Sequence, residues 1–302
     1  MIHIEELGTE IAFSENPRVL MVGDDSPNSY KIYRLFTGEV KLSCEDTLRE
    51  YEIRKNALAS HYGAIDTSFA QTITQYIIDE DEIDKSIVSF GTLIQKPRLR
   101  SKNFKYFQEL FYEICSYHLA ISANNYIQAF VHEYRMIEYI AYAYPLIYAI
   151  RSQDFYKTFG HLETYVKNEG KGELGFLQKA INKIFEGSEI FSTSFDISLD
   201  SIGNTNIRNN YRSIFSNLIN QKWLHESTSD SIFAIKFNSV GSVLIELRNK
   251  IFHHSVNTSN NILSIKLLDI NLFMKLVTPT FFTWLGVVYT EIFKAILEFE
   301  DN

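Results

Sequence analysis

Arg248-Asn249-Lys250-Ile251-Phe252-His253-His254 is the stretch of this chain whose residue types and spacing best suit a chemistry. It sets an arginine, an amide and a histidine at the spacing Arg-Asn-x-x-x-His, near the end of a helical apolar pattern. A guanidinium is a permanent cation with forked donors that match a phosphate. An imidazole takes up or gives a proton near neutral pH. Those two groups are sufficient in kind to cleave RNA without a metal: the imidazole moves the proton of a ribose hydroxyl, and the cation stabilises charge on phosphorus. The alternative for the same residues is a surface arginine that forms ion pairs, beside a histidine that meets the carbonyl dipole of a helix end.

Two other places begin in a similar way. Arg54 is followed by His61 with six residues between, but no amide follows the arginine. Arg208-Asn209 has the amide and lacks a histidine at the right distance. Only Arg248 combines the polar neighbour with the four-residue gap. This run resembles the signature of the HEPN superfamily, helical ribonucleases and nucleotide-binding proteins of prokaryotic toxin and antiviral systems. The resemblance implies a metal-independent endoribonuclease, a toxin or defence effector, that leaves 2′,3′-cyclic phosphate and 5′-hydroxyl ends. It implies Arg248, Asn249 and His253 as catalytic residues and no cofactor. It further implies a homodimer, or a higher assembly of such dimers, in which two motifs share one cleft. A non-catalytic helical module that binds nucleotide or protein is the alternative function. The resemblance covers roughly residues 100–300, and its specific content is the one motif.

At about 100° per residue, Val240, Val243, Leu244, Leu247 and Ile251 fall within one arc, the core stripe of an amphipathic helix. Asn249 and His253 project together from nearly the opposite side, with Glu246 near them and Arg248 at the flank. His254 turns back toward the core side. Glu246, His254 and Glu138, on a second helix, are the candidate supporting residues.

The rest of the chain has to position that helix. Its 302 residues, 45% hydrophobic and 22% charged, are enough for one large or two small domains with a substantial core. Few glycines and prolines and many Phe and Tyr favour packed helices. Cys44 and Cys115, far apart, provide neither a disulfide framework nor a metal pair. A net charge of −8 argues against general nucleic-acid binding. A local cationic patch suffices for an RNase, and Lys96, Arg98, Arg100, Lys102 and Lys105 form one, interleaved with Phe104 and Tyr106. A solvated loop leading into a helix is the plainer account of that cluster.

Before about residue 100 the apolar runs are short and β-rich. Residues 18–22, 30–36 and 39–42 read as an antiparallel sheet, with turn signals at Gly23-Asp24-Asp25 and Thr37-Gly38. A helix is expected from 45 to 61. Gly23-Asp24-Asp25 and the acidic run 79–82 read as turns rather than metal sites.

From about residue 101 the period is helical, with His118 at a core edge. Helices are expected at 123–144, ended or kinked by Pro145, and at 153–167, 173–186 and 211–224, with loops near 170–172 and over 187–206. A last helix spans 270–298; its most apolar part, 276–289, is too short for a bilayer. The expected organisation is therefore mainly α: an N-terminal α+β accessory region, 1–95, and a HEPN-like helical bundle, 96–302. The N-terminus has no secretory signal. A soluble, cytoplasmic protein with an RNA substrate and no membrane partner is expected, and any antitoxin or sensor would be a separate chain.

Overall fold

The computed structural model describes residues 2–6, 26–38, 40–45, 49–61, 103–152, 154–167, 172–252 and 264–298. The protein is mainly α, with a small sheet near its N-terminus. The chain divides into two compact units, residues 1–122 with 286–302, and residues 123–285. This differs from the 1–95 and 96–302 boundaries in that the helix after residue 103 and the chain's last turns belong with the N-terminal sheet.

The first unit contains β1 (Ile2–Glu6), α1 (Asn28–Thr37), β2 (Val40–Cys44), β3 (Arg49–Ile53) and α2 (Phe104–Ser122). The three strands form one antiparallel sheet in the order β1-β2-β3, with Ile4 opposite Leu42 and Leu42 opposite Tyr51. Two expectations fail here. Residues 30–36 form α1 rather than a strand, and 45–61 hold β3 and a short 3₁₀ turn, Ala59–His61, rather than a helix. In the first case Ile32, Leu35 and Phe36 recur at helical spacing as well as in near-alternation. Packing chooses the helix: Tyr33 stacks on Phe293 at 5.1 Å, and α1 lies on α2. In the second, Tyr51 and Ile53 alternate with exposed Glu50 and Glu52, and β2 supplies the backbone partner. The turn between α1 and β2 requires glycine. Gly38 has φ +81°, and a Cβ there would meet the Lys55 carbonyl oxygen at 2.8 Å. The expected strand at 18–22, the turn at 23–25 and the acidic run 79–82 lie outside the described residues.

The second unit is built on α3 (Tyr126–Arg151), α4 (Phe155–Lys167), α5 (Gly172–Ile184), α6 (Thr205–Leu218), α7 (Val240–Phe252) and the short α8 (Ser264–Leu267). The last helix, α9 (Ile270–Glu298), begins in this unit and ends in the first. Asn125 caps α3 through Gln128 N–H (3.2 Å), and Asn204 caps α6 through Asn206 N–H (2.9 Å). α3 does not stop at Pro145: Tyr144 and Ile147 on either side are buried, and their packing outweighs one missing hydrogen bond. α6 begins six residues before its expected start. The expected loop 187–206 contains β4 (Ser194–Ser198), which pairs antiparallel with β5 (Ile232–Lys236). Phe195, Ile197, Phe233 and Ile235 bury their side chains there.

By length and composition α9 is long and apolar enough to cross a membrane, contrary to the expectation from its apolar stretch. Of its most apolar window, 72% is buried inside the protein, as in a core helix.

His118, on α2, is a core residue rather than an edge one. It is buried against Tyr51 and Tyr117, and burial pushes its pKa down to about 3, opposed in part by a hydrogen bond to the Leu35 backbone. Between pH 6.5 and about 3 the unfolded chain binds a proton that the folded chain refuses. Stability therefore falls as pH drops through that window, by at most about 1.4 kcal/mol per pH unit from this group. Urea denaturation at pH 7 and pH 5 should show the loss, and His118→Asn should flatten it.

Candidate functional site

Arg248 lies near the C-terminal end of α7, and two neighbours, Trp284 and Gln178, fix how that helix is seated. At its N-terminal end Gly241 faces α9. A Cβ at this position would meet the Trp284 ring at 3.0 Å and Gln178 Oε1 at 3.3 Å, so the helices approach closely only over glycine. The Trp284 indole N–H donates to the Phe237 carbonyl at 3.0 Å, fully buried. From α5, the Gln178 side-chain amide donates to the Asn238 carbonyl, and its oxygen accepts from Ser242 Oγ at 3.4 Å.

Along its length α7 buries Val240, Val243, Leu244 and Leu247 completely, while Ile251 is half-buried. The stripe expected from the sequence is therefore the stripe that faces the core. Two contacts join α7 to α3. Phe252 stacks on Phe130 (5.6 Å between centroids, 8° between planes), and the Arg248 guanidinium lies over the Tyr134 ring at 4.7 Å. The partners are one helical turn apart on each helix and in reversed order, so α3 and α7 run antiparallel here.

The polar groups divide accordingly. Arg248 is half-buried, and its Nη1 donates to Asn249 Oδ1 at 3.0 Å. Among the described residues no carboxylate forms an ion pair with it. Glu246 pairs instead with Lys250 at 3.1 Å, across one turn of the same helix. Asn249 is exposed, as the helical wheel requires. Glu138 stands one turn beyond Tyr134 on α3. Burial pushes the Tyr134 phenol up, Arg248 opposes this, and Glu138 adds to it. The phenol therefore stays protonated, and its ring offers the cation a neutral π face.

His253 and His254 lie outside the described residues, as do Lys96, Arg98, Arg100 and Lys102 of the basic cluster. Lys105 is in the first unit and pairs with Glu109 at 3.7 Å. The two other arginine matches are occupied structurally. Arg54 pairs with Glu52 at 2.7 Å, and Arg208 donates to the Ile202 carbonyl at 2.6 Å. Among the described residues no group of three His, Cys, Asp or Glu side chains could hold a metal ion.

Sequence reasoning missed Tyr134, and Glu133 beside it on α3, which reads from the sequence as part of a polar face with His132, Arg135 and Glu138, is instead a core residue. Tyr134 falls four residues after Phe130, at the spacing that puts both on one flank of a helix, but nothing in the sequence says which helix covers that flank. Glu133 is fully buried, and among the described residues neither carboxyl oxygen has a hydrogen-bond partner. Burial pushes its pKa well above the ordinary carboxylate range, so it is held as the neutral acid.

Compared with known proteins, the chain matches no family model, and no curated protein or solved structure is significantly similar to it.

Glu133 has a consequence for stability. Above about pH 4.5 the unfolded chain gives up this proton and the folded chain keeps it. Its contribution is therefore complete at low pH and is lost as pH rises toward the folded pKa. Glu133→Gln should raise the melting temperature at pH 7 to 8, and the gain should shrink as pH approaches 4.5. Calorimetry of the two proteins across that range checks both the sign and the window.

Proposed function

We infer that the chain is a metal-independent endoribonuclease of the HEPN type, acting in the cytoplasm as a toxin or antiviral effector. The observation that supports this most is the state of Arg248. Its guanidinium is held between a tyrosine face and a neutral amide, and among the described residues no carboxylate pairs with it. Arg54 and Arg212, by contrast, are each paired with an acid. An uncancelled, oriented cation five residues before a histidine suits a ligand that brings its own negative charge, such as a phosphodiester. Cys44 and Cys115 are buried and form no disulfide, which accords with a reducing compartment.

In the proposed reaction the ribose 2′-oxygen attacks phosphorus as its proton passes to a base. A P–O bond forms to the 2′-oxygen, the P–O5′ bond breaks, and the departing 5′-oxygen takes a proton. His253 serves one of those two transfers. Arg248 donates to the non-bridging oxygens, where charge accumulates in the transition state. Asn249 fixes the guanidinium through its amide oxygen, and Tyr134 supports the cation from beneath. RNA is the substrate, and the working species is a homodimer. Any antitoxin or sensor is a separate chain.

Purified protein incubated with RNA in EDTA should yield 2′,3′-cyclic phosphate and 5′-hydroxyl ends. Cleavage that requires Mg²⁺ or leaves 5′-phosphates would falsify the mechanism, and binding without cleavage would return the chain to the non-catalytic class. His253→Ala and Arg248→Ala should each lower the rate by about 10²–10⁴ with little change in melting temperature. His254→Ala should cost much less.

Tyr134 offers a finer test. Tyr134→Phe keeps the ring and should keep most activity. Tyr134→Leu removes the face beneath the cation and should lower kcat/KM roughly 2- to 30-fold, the range of a partly desolvated cation–π contact. Equal losses in both variants would assign the role to the phenol hydroxyl instead.

A further inference from the structure

Arg248 has donors to spare. Its Nη1 is taken by Asn249 Oδ1 at 3.0 Å, and the guanidinium lies over the Tyr134 ring at 4.7 Å. Among the described residues nothing accepts from Nε or Nη2, the edge with which a guanidinium grips a phosphate through two bonds. Charge around that edge is sparse. Glu246 and Lys250 are paired with each other at 3.1 Å. Arg135, next after Tyr134, projects about 100° further round α3, on its exposed side. Residues 253–263, which follow α7 in the chain, contain no Lys, Arg, Asp or Glu. Their two histidines, at the ordinary pKa, are neutral at pH 8.

Glu138 is the further charge on this flank. It is half-buried, one turn after Tyr134 on α3. Side chains of a helix lean toward its start, so Glu138 leans over the turn that carries Tyr134. Arg248 leans toward the start of α7. Because α3 and α7 run antiparallel here, that direction carries it along α3 toward the level of Glu138. The carboxylate is not paired with the guanidinium, whose contacts are with Asn249 and Tyr134. The charges of both nevertheless act on the Tyr134 phenol.

We propose that Glu138 is a specificity residue that biases the Arg248 site toward the single charge of a phosphodiester inside an RNA chain and against the double charge of a terminal phosphate, as on free nucleotides. This role rests on the ribonuclease reading only in that Arg248 must hold an anion. A diester keeps one charge throughout the neutral range, whereas a phosphomonoester gains a second above a pKa of about 6. One unpaired cation balances the first charge. The second finds no further cation and meets the field of Glu138 instead. A unit charge about one helical turn from a half-exposed carboxylate, partly screened by solvent, costs roughly 3- to 10-fold in affinity. Glu138 thereby keeps free nucleotides from blocking a cleft that takes the chain interior.

The test is titration of the full chain, at pH 8 and low salt, with adenosine 5′-monophosphate and with its methyl ester, followed by phosphorus NMR. The two ligands differ by one charge at the phosphate, and in neither is that phosphate open to attack by a 2′-oxygen. The wild type should bind the ester at least as tightly as the monoester. In Glu138→Gln the ratio of monoester to ester affinity should rise roughly 3- to 10-fold. A purely structural Glu138 would move both affinities alike and leave that ratio unchanged. An unchanged ratio overturns the proposal, as does a wild type that prefers the monoester. Should Glu138→Gln fail to fold by circular dichroism, Glu138→Ala replaces it, with the same shift expected. Arg248→Ala should abolish binding of both ligands. If binding survives that substitution, or the wild type binds neither ligand, Arg248 is no anion site and the proposal falls with that reading. Binding is read without cleavage, so a chain that never cuts RNA still gives a decisive ratio.

Discussion

The orientation of α7 depends on the buried bond from the Trp284 indole to the Phe237 carbonyl. Phe237 begins the 3₁₀ turn that leads into the helix, and its carbonyl, which accepts the Val240 N–H, has a second lone pair in the core in need of a donor. Trp284 meets that need while packing its ring against Gly241, the one residue of the first turn without a side chain to hold it off. With the start of the helix set by α9 and α5, its far end falls along α3. There Phe130 and Tyr134 receive Phe252 and Arg248. A helix of thirteen residues pinned at both ends cannot rotate. The guanidinium's direction is in this sense decided about two turns away from it, at Gly241.

An arginine in this setting is unusual in its accounting of charge. Partial burial costs a cation some hydration, and most proteins recover the loss with a carboxylate. Here the recovery comes from a ring face and an amide oxygen, neither of which carries a formal charge. The field of the cation is left available to a ligand. Glu246, two residues before Arg248, projects from a different side of the helix and pairs with Lys250 one turn along.

Below this surface α3 carries Glu133, a carboxylic acid with no hydrogen-bond partner among the described residues. It stays neutral because ionising it there would cost more than retaining the proton. α3 thus has three distinct sides. One is apolar, with this single acid. A second, at Tyr134, meets the cation. The third, from Tyr142 to Ile150, is apolar and open to water. A helix of 26 residues with apolar groups on more than one side has no strong amphipathic signature, and its periodicity alone does not say which side is core.

What the residues determined by themselves was local. The amphipathic stripe of α7, the long last helix and the mainly α class follow from spacing, because helical periodicity is an i to i+4 property that a sequence displays directly. The polar flank that carries Arg248 and Asn249 came with that stripe. Tertiary structure decided the cases in which two periods fitted one run. Residues 30–36 satisfy both alternation and helical spacing, and contact with Phe293 selects the helix. Residues 49–53 became a strand because β2 offered an unpaired backbone edge. β4 and β5, separated by more than thirty residues, each supply the other's hydrogen bonds, and no local pattern records that pairing. Tyr134 beneath Arg248 is of the same kind. A cation–π contact between residues over a hundred positions apart exists only once two helices have been packed antiparallel, and the core that packs them is made by other side chains.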